Sequence, residues 1–110
     1  MDAQVELIQL RELAPAAELW AEGGKPIAFL PDVEFAAGSS RVVRDLLLWP
    51  RERDGYKSRL FLSEPVTSGQ AANWNVFNIQ GRPWHGCSWQ GVQNTLPWIE
   101  IVAAHLRAFR

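Results

Sequence analysis

The only cysteine of the chain, Cys87, sits in the segment GRPWHGCSWQG, with His85 two places before it and Gly86 between them. A thiol beside an imidazole is a small set able to run nucleophilic chemistry. The thiolate attacks a carbonyl carbon, and the imidazole takes a proton from the thiol or from an incoming amine as general base. Residues two apart in an extended segment share a face, so this spacing lets His85 lie near Cys87. A plainer reading stands beside it. Free cysteine is among the most buried residue types, and a thiol with a pKa of about 8.5 is only a few per cent thiolate at neutral pH. Cys87 is therefore read either as a nucleophile or as an inert thiol, and His85 either as a base or as a hydrogen-bonded loop histidine. The other histidine, His105, falls on an apolar stripe and reads as a core residue.

These residues need elements to position them. From Asp2 to about Ala21 the pattern predicts a helical segment, interrupted at Ala14-Pro15 and resumed in PAAELWAE up to a stop at Gly23-Gly24. A strand over VELIQL is the competing reading, because Val5, Leu7 and Gln9 alternate. Three β runs follow: PIAFL between Pro26 and Pro31, RVVRDLLLWP ending at Pro50, and KSRLFLSE after the Asp54-Gly55 turn. Short turns between them predict an antiparallel meander. From Pro65 to Pro97 periodicity is weak and Gly, Asn, Gln and Trp are frequent, which predicts a long but ordered loop. Its tryptophans, with Trp98 just beyond, are expected to pin it on the sheet; an exposed aromatic platform is the alternative. The segment TLPWIEIVAAHLRAF predicts a closing helix with Thr95 as N-cap, Pro97 in the first turn and a stripe of Trp98, Ile101, Val102, His105, Leu106 and Phe109. The expected fold class is α+β: an N-terminal helical segment, an antiparallel β-meander, an ordered Trp-rich loop and a closing C-terminal helix.

Composition bounds the function. The chain has 110 residues, 47% hydrophobic and 21% charged, which suits one soluble globular domain over residues 1–110. A formal net charge of -1 supplies no field to recruit nucleic acid or an acidic membrane. A lone Cys with two His has no metal-ligand spacing, and no metal or cofactor is expected. The start MDAQVELIQLREL lacks the pattern of a signal peptide, and no apolar run nears the roughly 20 residues of a membrane span, so a cytoplasmic location is expected. Nine of the 11 basic residues are arginines. Arg41, Arg44, Arg51, Arg53 and Arg59 fall in one central stretch, read as a solvated, ion-paired face or as a surface for an acidic partner.

The order of these elements resembles the ubiquitin-conjugating enzyme fold, in particular short bacterial members found beside ubiquitin-like and defence genes. LLLWPRERDGYKSRLFL supplies a strand, Pro50 and Tyr56. NWNVFNIQGRPWHGC echoes the family's His-Pro-Asn motif and the path to its cysteine, with Asn73-Trp74 where the His-Pro pair would stand. Asn75 then stands for the family's asparagine, Gly81 for its glycine and Cys87 for its nucleophile; Trp89 or Trp98, Pro97 and a helix follow. The resemblance implies a Cys87 thioester with a ubiquitin-like protein or other acyl donor, delivered by an ATP-dependent activating enzyme and passed to an amine, and suggests the setting of an antiviral defence operon. Asn75, or else Asn78, would hold the oxyanion of that transfer; each also reads as a turn residue. The alternatives are a non-catalytic adaptor of the same fold, with the Trp-rich segment as interaction surface, and an unrelated aromatic module for peptide or sugar.

Overall fold

The computed structural model describes residues 2–110. The chain is α+β, with two α-helices and one six-stranded antiparallel sheet. Helix α1 covers Ala3–Leu10, and its N-cap Asp2 accepts the Gln4 amide at 2.9 Å. The helix stops before Pro15. The expected continuation over PAAELWAE does not form; Glu18–Glu22 is strand β1 instead. The reason lies in Gly23-Gly24, with φ of 59° and 79°. Two consecutive left-handed residues make a hairpin turn rather than a helix stop, and they fold Glu18–Glu22 back on the next strand in register Glu22↔Lys25 to Glu18↔Phe29.

Strand β2, Lys25–Ala37, runs past Pro31 through a bulge between Leu30 and Val33, longer than the PIAFL run expected. Asp32 takes φ 54° at the bulge, and its amide donates to Asp45 Oδ1 at 2.9 Å. Strands β3, Ser40–Trp49, and β4, Arg59–Leu62, complete the expected meander. The expected Pro65–Pro97 loop holds a second hairpin, β5 over Ala72–Ile79 and β6 over Arg82–Ser88. It turns at Gln80-Gly81, both at positive φ. β6 lies against β4, giving the order β1-β2-β3-β4-β6-β5.

Strand alternation divides the apolar residues between two cores. One face packs Leu30, Leu46, Leu48, Leu60 and Leu62 against α1 and helix α2, Trp98–Leu106. The other carries no helix and buries Ile27, Leu47, Phe61, Ile79 and Trp84 among Trp20, Phe29, Trp49 and Phe77. The sheet curls around this aromatic face. Trp20 stacks on Phe29 at 4.5 Å, the edge of Trp84 meets both rings, and Gln80 Nε2 reaches across to Ala21 O and Glu22 Oε2 at 2.6 Å each.

α2 buries Trp98, Ile101, Val102 and His105 along its expected stripe. Its N-cap is Pro97 rather than Thr95, and the cap contact comes from outside the helix: Glu6 Oε1 of α1 accepts the Trp98 amide at 3.3 Å. A carboxylate at a helix N-terminus meets unpaired amides and the positive end of the helix dipole. The chain ends in a 3₁₀ turn over Arg107–Phe109, with Ala108 and Phe109 buried. No helix among the described residues is long and apolar enough to cross a membrane.

Candidate functional site

Cys87 belongs to strand β6 and not to a loop of glycines. Its side chain faces the helices and is 8% exposed, within the core of Leu60, Leu62, Val92 and Val102. Burial pushes the thiol pKa up, against a weaker opposite pull from Arg59. His85 lies two residues away on the same face, as the spacing predicts, half-buried and opposite Leu62 and Val76.

Asn75 is placed differently. It pairs with Gly86, whose missing side chain points at Phe61 and Phe77 on the aromatic face. Asn75 and Cys87 are therefore on opposite faces of the sheet, and the Asn75 amide donates to Asn73 O at 3.1 Å. The side chain thus bonds the local backbone, within β5 rather than in a turn. Asn78, opposite Pro83, shares the face of Cys87 but sits four positions down the strand, about 13 Å away at 3.3 Å per residue. The fold sets His85 and Cys87 on one face with Asn75 on the other, and Asn78 lies on the shared face nearer to His85 than to Cys87.

The Cys87 carbonyl is bonded by a residue that sequence reading placed on a solvated, ion-paired face or a surface for an acidic partner. Arg59 is 5% exposed and donates to Cys87 O at 3.4 Å. Its guanidinium lies 4.2 Å from the Tyr56 ring centre and about as close to Phe77 as to Phe61, at 5.1 and 5.2 Å. Asp54 pairs with it at 3.6 Å, and burial lowers the pKa of the Arg59 guanidinium. Gly86 makes room for this cation: a Cβ there would stand 2.7 Å from Arg59 Nη2 and 3.0 Å from both Phe61 and Phe77. Arg53 stacks beside it on Trp49 at 4.3 Å. The signal that marks Arg59 is its place in RLFL, alternating with Leu60 and Leu62.

The tryptophans hold the second hairpin and its exit against the body. Trp84 is fully buried, Trp74 stacks on Phe109 at 5.9 Å, Trp98 is buried, and Trp89 Nε1 donates to Ala104 O at 3.4 Å.

The outer strand β5 is the feature that sequence reading missed. The two-residue turn closes on the Ile79–Arg82 pair, and alternate pairs of an antiparallel ladder exchange bonds. The backbone groups of Val76 and Asn78 then point away from β6. Pro83, which has no N–H to give, accordingly stands opposite Asn78. Asn75–Ile79 carries no charge and no proline, and the Val76 side chain is 64% exposed.

No protein-family model, curated protein or solved structure matches the chain.

Proposed function

We propose that the chain is a non-catalytic interaction module that takes up an extended segment of a partner protein along β5. The open, uncharged edge at Asn75–Ile79 carries this reading. Sheet edges are commonly blunted by charge, proline or cover. The other edge, β1, bears Glu18 and Glu22 and is crossed by Gln80. On β5 only the start is irregular, through the bulge between Ala72 and Asn75. An added strand gains main-chain hydrogen bonds from Val76 and Asn78 and an apolar neighbour in Val76. Burial of Cys87, and its separation from Asn75, support an adaptor over a carrier of acyl groups.

The test is Asn78→Pro, which removes an outward N–H and leaves the β6 ladder intact. Peptides selected from a displayed library on the wild-type protein should lose binding to Asn78→Pro and to Val76→Lys, with far-UV circular dichroism unchanged. Full binding by both folded variants would overturn the reading.

A second reading is favoured by one observation, the shared face of His85 and Cys87. It is the thioester transferase, with a ubiquitin-like protein as donor and an activating enzyme as its source. Cys87 must then leave the core to meet a carbonyl. A reductant-sensitive adduct on wild-type protein incubated with such a donor, activating enzyme and ATP, turned resistant in Cys87→Ser, would move the assignment to it.

A further inference from the structure

A cleft of about 500 Å³ opens between the tip of the β2–β3 hairpin and the segment that follows β4. That size accommodates a small molecule rather than a bare ion. Its polar lining comes from three parts of the chain: Ser39 and Ser40 at the hairpin, Arg44 on β3, and Thr67 and Ser68 opposite. No carboxylate lines it.

Arg44 is held in place by main chain alone. Nε donates to Glu64 O at 3.2 Å, Nη1 to Val43 O at 2.9 Å and Nη2 to Pro65 O at 3.3 Å. A guanidinium has about five N–H groups, so these three bonds leave two for a ligand. The carbonyls orient the cation without neutralising it, and none of the ion pairs among the described residues includes Arg44. Arg44 also borders a smaller cleft of about 220 Å³, which it shares with Asp32, Asp45 and Glu64 and whose carboxylates disfavour an anion there. Asp45 there is engaged by the Asp32 amide and by Arg82 at 3.5 Å. Of the two clefts that Arg44 borders, the larger is the one free of carboxylates.

We propose that this cleft binds the phosphate group of a small, soluble phosphate ester. A planar carboxylate offers two oxygens in one plane. A phosphate offers three oxygens directed apart, which suits donors arriving from the hairpin, from β3 and from the opposing segment. Ser68 Oγ donates to Phe109 O at 3.1 Å, so Ser39, Ser40 and Thr67 supply the hydroxyl donors beside Arg44.

The experiment is an amide NMR titration with glycerol phosphate, with inorganic phosphate and acetate as further probes. Saturable shifts at Ser39, Ser40 and Thr67 are expected with both phosphates and not with acetate. Arg44→Gln should weaken binding about tenfold, the scale of one charge-assisted hydrogen bond. Because that change also releases three carbonyls, Ser39→Ala with Ser40→Ala on the exposed turn serves as a second variant and should weaken binding several-fold in a protein with an unaltered core. Shifts that never saturate, equal shifts with acetate, or unchanged affinity in both variants would overturn the proposal.

Discussion

The imidazole of His105 and the hydroxyl of Ser58 meet 2.9 Å apart inside the core. Ser58 donates onward to Val92 O at 3.0 Å, which leaves His105 Nε2–H as the donor between them. Burial, helped by Arg59, lowers the His105 pKa to about 4. In the unfolded chain it returns to about 6.5. Between those values the unfolded state binds the extra proton, so stability rises with pH and is lost as pH falls through the window. From about pH 7 to about pH 5 the loss should be on the order of 2 kcal/mol. Urea denaturation at the two pH values checks it; a slope that persists in His105→Gln would assign the effect elsewhere.

Ile101 and Leu106 lie on the same stripe of α2, yet only Ile101 is fully buried; Leu106 is half-exposed. Ile101→Ala should cost about 2–5 kcal/mol and Leu106→Ala clearly less. Equal costs in chemical denaturation would contradict this packing.

Gly86 is held to glycine by space. Gly86→Val places carbon against Arg59, Phe61 and Phe77, of which Phe61 is fully buried. The expected destabilisation is about 1–3 kcal/mol, with altered near-UV circular dichroism from the aromatic face. A melting temperature equal to that of wild type would refute it.

Cys87 should react slowly with a small aromatic disulfide in the native protein, at a rate that climbs with sub-denaturing urea, because the thiol is buried and its pKa is raised. Reaction at the rate of a free thiol without denaturant would instead give the transferase reading an accessible nucleophile.

Much of the layout is written locally. The α2 stripe from Trp98 to Phe109, the β runs of RVVRDLLLWP and KSRLFLSE, and the shared face of His85 and Cys87 all follow from periodicities of 3.6 or 2 that need no distant partner. ELWAE was different. Its residues suit a helix until Gly23-Gly24 adopts positive φ and β2 offers a ladder, so pairing overrode propensity. The β5–β6 hairpin escaped because an edge strand leaves Asn75 and Asn78 in water, which breaks the apolar alternation that marks a strand.

The site turned on register. Asn75 and Cys87 lie twelve residues apart in the chain, and their separation in space depends on the turn between them. Closing at Gln80-Gly81 sets Asn75 opposite Gly86, and a shift of one residue would put Asn75 on the face of Cys87. Arg59 likewise reads as one of many surface arginines until curling of the sheet closes Tyr56, Phe61 and Phe77 around it. Side-chain alternation is a property of the strand alone and was legible in the sequence. Which strands meet, in what register and with what curvature depends on contacts far apart in the chain, and only the tertiary structure decided them.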